Sequence, residues 1–156
     1  MANNFSLPGL ELDATNKAIV EQLQEDGRRS YAAIGKAVGL SEAATRQRVQ
    51  RLVEAGAMQI VAVTDPLQMG FARQAMIGID TTGLIPEIAD AIAELPEVNY
   101  CVVTAGRYDV LAEVVAEDDQ DLLRIITTIR GVDGVTDTDT LVYLSLRYQS
   151  YNWGTR

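Results

Sequence analysis

Between Arg28 and Arg51 the chain carries Arg28, Arg29, Lys36, Arg46, Arg48 and Arg51 against the single acid Glu42, a local charge of +5 in a chain of net charge −9. Grouped cations of this kind bind phosphate oxygens, and Arg and Gln side chains bring the paired donors that read base edges. The chemistry on offer is contact with double-stranded DNA. The same residues also suit a solvated helix face, so the elements that carry them have to decide.

Those elements read as two short helices over a Gly-Leu-Ser turn. Ser30 caps a first helix with Ile34, Ala37 and Val38 on one face, and Gly39 supplies the left-handed stop. Ser41 caps a second helix whose inward stripe is Thr45, Val49, Leu52 and Val53, with Gly56 where a C-terminal stop belongs. This leaves Glu42, Ala43, Ala44, Arg46, Gln47, Gln50 and Arg51 facing outward. Gly35 lets the second helix cross the first closely. Two helices crossing steeply over such a turn form a helix-turn-helix, with the first turns of its second helix offered to the major groove.

Composition narrows the function classes. At 156 residues and 47% hydrophobic content, the chain can bury a core in one domain or two small ones. Charge favours two: residues 61 to 156 carry fifteen acids and six bases, whereas 1 to 60 are balanced at seven each. Cys101 is the only cysteine and histidine is absent, which excludes an internal disulfide, the usual Cys/His zinc sites and His-based catalysis within one chain. No metal site, cofactor or catalytic residue is therefore expected. With neither a basic-plus-apolar leader nor an apolar run of membrane-spanning length, a cytoplasmic protein with no membrane partner is expected.

In chain order, Met1 to Glu11 reads as a loose arm, and Asp13 caps a helix to about Glu25 with Leu12, Ile19, Val20 and Leu23 inward. The run Met58 to Val63 reads as a strand, and Asp65-Pro66 with Gly70 as a connector. Then one theme occurs twice. Strands are expected at Ala75 to Asp80, at Val98 to Thr104 with Val98, Tyr100 and Val102 alternating, at Val110 to Ala116, and at Thr136 to Tyr148. Helices are expected at Ile85 to Ile92 and Asp118 to Arg130. The fold class is α+β: a three-helix helix-turn-helix domain (1–57), a strand linker (58–70) and a ferredoxin-like βαββαβ domain (71–156). Val142, Leu144, Leu146 and Tyr148 on the last strand need a cover, and a second copy of the chain is expected to supply it in a homodimer.

The segments LDATNKAIVEQLQEDGR, VGLSEAATRQRVQRLVEAG, DPLQMG and TAGRYDVLAEV, in that order, resemble the Lrp/AsnC family of leucine-responsive and asparagine-operon regulators. The resemblance spans almost the whole chain. It implies that the helix-turn-helix is of winged type, that dimers assemble into octamers, and that an amino acid or related metabolite binds between C-terminal domains. It also lets roles be assigned within the reading head. Ser41 opens the second helix, Glu42, Ala43, Ala44, Arg46 and Gln47 lie over base edges, and Arg28, Arg29, Arg48 and Arg51 are phosphate clamps with Gln50 on the same face. For Arg48 an ion pair with Glu54 or Glu42 is the equal alternative.

The family's G-x-Y-D turn is matched by Gly106, Arg107, Tyr108 and Asp109. Gly106 frees backbone N–H groups for a carboxylate and Asp109 can accept from an ammonium, the two ends of a free amino acid. Thr104, Thr138 and Thr140 are the candidate hydroxyl contacts. The plainer alternative is a tight turn that only shapes the backbone, in an architectural DNA-binding protein without an effector. Two positions depart from the family: Asn16 stands where Asp is usual, and Asp139 where related regulators often carry Arg. An acidic rim formed by Asp139 with Asp137 points to a neutral or basic effector. A small dimeric oxygenase on the same sheet is the enzyme alternative, disfavoured by the missing histidines.

Overall fold

The computed structural model describes residues 12–151, 154 and 155; the arm expected at Met1 to Glu11 lies outside the described residues. The chain's own contacts divide it into two compact units, Met1–Ala62 with Tyr148–Arg156, and Val63–Arg147. The tail from Tyr148, assigned by the strand pattern to the second domain, thus groups with the first, and the connector from Val63 groups with the second.

The first unit holds α1 (Ala14–Glu25), α2 (Tyr31–Val38) and α3 (Glu42–Glu54). Each starts on the expected cap, the side chains of Asp13, Ser30 and Ser41 accepting from the backbone N–H of Asn16, Ala33 and Ala44. Gly39 ends α2 in the left-handed region at φ 76°. Ile19, Leu23, Ile34, Val49 and Leu52 form the core, with Thr45 fully buried beside them. A Cβ on Gly35 would sit 2.6 Å from the Leu40 carbonyl oxygen and 2.9 Å from Thr45 Oγ1, so the close crossing requires glycine.

Three expectations about this unit are corrected. Leu12, Ala37 and Val53 are exposed, because three short helices meet along a stripe only as wide as the Ile34, Val49 and Leu52 contacts. Met58 to Val63 forms no strand: it has no ladder partner among the described residues, and Ile60, Val61 and Val63 stay exposed. No strand accompanies the three helices among the described residues of this unit, so the wing has no counterpart within it.

After a capped 3₁₀ turn at Pro66–Met69, the second unit runs β1 (Arg73–Thr81), α4 (Ile85–Ala93), β2 (Val98–Val103), β3 (Val110–Ala116), α5 (Asp119–Arg130) and β4 (Val135–Val142). The sheet order is β2-β3-β1-β4, antiparallel throughout, which is the ferredoxin-like arrangement. Ala75, Ile77 and Ile79 of β1 and Val110, Ala112, Val114 and Ala116 of β3 bury against Ile88, Ile92, Leu122, Ile125 and Ile129 of the two helices.

Register decides the faces, and two irregularities reset it. Between Val98 and Tyr100 the pairing of β2 with β3 shifts, so Cys101 packs on the helix-side core while Tyr100 is exposed, breaking the expected Val98, Tyr100, Val102 alternation. A second shift lies at Asp80/Thr81. The strand β4 ends at Val142, six residues before the expected Tyr148. Directly opposed residues share a face, so Val142 opposite Ala75 belongs to the helix side, while Asp139 and Leu141, opposite Gly78 and Met76, belong to the open face. The even positions expected to face a second copy are therefore on the other side as far as the strand runs. Leu144, Leu146 and Tyr148 lie beyond it, exposed.

Candidate nucleic-acid interface and effector turn

On α3 the outward set falls as the helical period requires. Glu42, Ala43, Arg46, Gln47, Gln50 and Arg51 are exposed and Ala44 is partly so, while Thr45, Val49 and Leu52 turn inward. Arg46 Nη2 meets Glu42 Oε1 at 3.0 Å, and its guanidinium lies 5.1 Å from the centroid of the Tyr31 ring. That ion pair is one turn apart and largely exposed, a geometry contributing only about 0.3–0.5 kcal/mol, so Arg46 is readily given up to a stronger acceptor. Gln50 Nε2 donates to Glu54 Oε1 at 2.7 Å.

The remaining cations divide into held and free. Arg29 Nη1 donates to Gln22 Oε1 and, at 3.2 Å, to Glu25 Oε2, both on α1. Arg48 pairs with neither Glu54 nor Glu42; its Nη1 donates to Asp13 Oδ2 at 2.7 Å and Asn16 Oδ1 at 2.9 Å. The Arg48 guanidinium holds the Asp13 carboxyl below the usual carboxylate range. Among the described residues, the side chains of Arg28, Lys36, Gln47 and Arg51 make no hydrogen bond or ion pair. A hollow of about 380 Å³ lies along this side of the unit, with Asp13, Asn16, Gln47, Arg48 and Arg51 among its walls. Neither Asp13 nor Asn16 was expected at a site, because nothing in a sequence marks a contact that spans some thirty residues.

The turn Gly106 to Asp109 joins β2 to β3, and its three side chains are already engaged. Asp109 Oδ2 accepts from Thr81 N at 2.7 Å and Thr81 Oγ1 at 3.0 Å, while the Thr104 hydroxyl donates to the Tyr108 carbonyl. The Tyr108 ring lies across Gly78, where a Cβ would come within 2.6 Å of it, and its hydroxyl donates to Asp139 Oδ2 at 2.6 Å. Glycine inside a strand is the sequence signal for such a close approach, and it was present at Gly78. The Arg107 guanidinium stands 5.2 Å from the Tyr108 centroid. Its pKa is raised first by its hydrogen bond to Tyr108 and then by the Asp80 and Asp139 charges; Tyr108 is raised first by Asp139 and then by desolvation.

The expected effector residues thus fall into two groups. Arg107, Tyr108 and Asp139 gather on the open face of the sheet. Thr138 and Thr140 pair with Ile79 and Ile77, which places them on the helix side, where Thr138 Oγ1 accepts from Arg130 Nε at 2.6 Å. Gly106 leaves open space around its missing side chain, its nearest neighbour being Thr104 Oγ1 at 3.9 Å.

Comparison with known proteins covers both units. The AsnC-type helix-turn-helix domain matches residues 12–53, and the Lrp/AsnC ligand binding domain matches residues 74–153. An uncharacterised helix-turn-helix transcriptional regulator of Pyrococcus horikoshii is 32% identical over 145 residues, covering 91% of this chain and 92% of its own. The leucine response regulatory protein of Mycobacterium tuberculosis is similar in structure with a TM-score of 0.80 at 28% identity, covering 88% of this chain and 96% of that one. A Neisseria meningitidis transcriptional regulator solved as a complex with L-methionine gives 0.76 at 25% identity, covering 91% and 96%.

Proposed function

The chain belongs to the Lrp/AsnC family of transcriptional regulators, and we propose that it is a sequence-specific DNA-binding member that responds to a free amino acid or related metabolite. The observation that carries the DNA half is the outward row of α3. It offers Ala43, Ala44, Arg46 and Gln47 toward base edges, with Arg51, Lys36 and Arg28 unpaired for phosphates, in a chain that is otherwise acidic. No helix among the described residues is long and apolar enough to cross a membrane, and a cytoplasmic working place fits a DNA-binding role.

The effector half rests on the G-x-Y-D turn and on the methionine-bound relative. In this reading Arg107, Tyr108 and Asp139 form the polar rim on the open sheet face, and Gly106 presents its backbone. A second copy of the chain covers that face and the exposed Ile60, Val61, Leu144 and Leu146, giving a homodimer that can assemble further into an octamer. Asp80 and Asp139, whose charges act on Arg107, and Asp137 opposite Asp80 favour a neutral or basic ligand. Tighter binding of aspartate or glutamate than of leucine, lysine or arginine in calorimetry would refute that preference.

One observation favours a second reading, an architectural DNA-binding protein without an effector. Asp109 and Thr104 spend their side chains on Thr81 and on the Tyr108 carbonyl, as residues that only shape a turn would. Fluorescence anisotropy separates the two, using DNA from upstream of the protein's own gene at two salt concentrations, with and without a pool of amino acids. Specific, salt-sensitive binding that shifts with the pool supports the effector reading. Specific binding indifferent to the pool supports the architectural one, and no binding overturns both.

A further inference from the structure

Arg48 differs from the other cations of the reading head in what it holds. Asp13 uses one carboxylate oxygen, Oδ1, to cap α1 through Asn16 N at 2.6 Å, and the other, Oδ2, to accept from Arg48 at 2.7 Å. Asn16 is 8% exposed, and its side-chain carbonyl accepts from Arg48. An Arg48 that swung to a phosphate would take from this carbonyl the protein donor it has here, and from Asp13 its counter-charge. The bridge starts from α3 beside Val49, which is 2% exposed, and so ties the DNA-facing helix to the first turn of α1 at the edge of the core.

We propose that Arg48 is a positioning residue of the reading head: its bridge to Asp13 and Asn16 sets α3 against α1, and it is not one of the phosphate clamps. The inference rests on the DNA-reading function proposed above. The Arg51 side chain, one turn further along the same helix, has no intramolecular partner among the described residues and is the phosphate-binding counterpart.

The test uses the full chain, a duplex that it selects from a randomised pool, and a scrambled duplex of the same composition. Affinities are measured across a salt series for the wild type, Arg48→Met, Asp13→Asn, their double variant and Arg51→Met. Asn is as good a helix cap as Asp, so Asp13→Asn removes the charge and keeps the helix start. Arg48→Met should weaken binding to the selected duplex about tenfold, because α3 then has to be ordered against α1 on binding, while scrambled DNA and the salt slope change little. The double variant should lose no more than Arg48→Met alone. Arg51→Met should weaken both duplexes and reduce the salt slope by about 0.9.

A drop of about 0.9 in the slope for Arg48→Met, with equal losses on both duplexes, would overturn the proposal. So would losses that multiply in the double variant, or a lowered melting temperature with the selected-to-scrambled ratio intact, which is what mere structural support gives. A wild type that enriches no sequence would instead overturn the DNA-reading function itself, leaving the Asp13–Arg48 coupling measurable in thermal melts.

Discussion

The two units of this chain were built under different rules, and they yielded to sequence reasoning to different degrees. In the helical unit the side-chain direction follows from position alone, because every residue turns by the same angle. In the sheet unit direction follows from pairing, and one extra residue reverses every later side chain. The outward row of α3 therefore fell where periodicity put it, while the residues around the Gly106 turn divided between two faces. A site on a helix can be read from one strand of text; a site on a sheet needs the neighbours.

The sharpest way to break this comparison is to damage one unit and watch the other. Leu52 and Ile129 are fully buried, one in each core. Leu52→Ala and Ile129→Ala should each cost about 2–5 kcal/mol, the range for emptying a packed aliphatic site. Hydrogen exchange resolved by residue should show Leu52→Ala opening α1 to α3 and Ile129→Ala opening the strands. Equal loss of protection in both units for either change would mean that they unfold as one.

A smaller effect is expected where the helices cross. Gly35→Ala gains about 1 kcal/mol of helix propensity but loses up to about 3 from overpacking. The clash is with the Leu40 backbone, which cannot step aside, so the net should be a loss of about 1–2 kcal/mol confined to the first unit. A melting temperature unchanged or raised by the substitution would refute the close crossing. Gly78→Ala is the matching change in the sheet. Its Cβ meets a Tyr108 ring that can rotate away, so stability should fall less than for Gly35→Ala, and the loss should appear in the ring's environment. Breaking the contact of Tyr108 with Asp139 should bring the phenol back toward its ordinary ionisation. A Tyr108 titration unchanged by Gly78→Ala would sink the proposed stacking.

Much of both units was legible because their signals are local. Asp13, Ser30 and Ser41 start helices where a short polar side chain can reach a free N–H, and Gly39 stops one where only glycine is relaxed. The strands β1 and β3 stood out as apolar runs of strand length, and β3 begins and ends where its sequence pattern does. What escaped was non-local. The bulge at Val98/Tyr100 has no residue signature and turned Cys101 inward. The end of β4 at Val142, opposite Ala75, is set by where its pairing with β1 stops, although β1 itself starts two residues earlier at Arg73. The partners of Arg48 are the cap of α1, Asp13, and Asn16 in its first turn, more than thirty residues away, and only folding brings them near.

The smallest expected effect tests the open face of the sheet, where Tyr143 follows Leu141 and its backbone N–H donates to Gln74 O at 2.8 Å. Desolvation and a hydrogen bond to Glu113 push the Tyr143 phenol up to about 12. Because the folded value lies above the unfolded one, near 10, the neutral phenol favours the folded state. That contribution is complete below about pH 10 and is lost as pH rises through about 12. The side chain is more than a third exposed, so the energy at stake is small and the ionisation itself is the better readout. Phenolate absorbance should contain a late component near pH 12 that Tyr143→Phe removes, and Glu113→Gln should move it to lower pH by taking away the negative neighbour. A late component that survives Tyr143→Phe would place the desolvated phenol elsewhere. One that ignores Glu113→Gln would leave burial as its only cause, and the open face would then be drier than its exposed rim suggests.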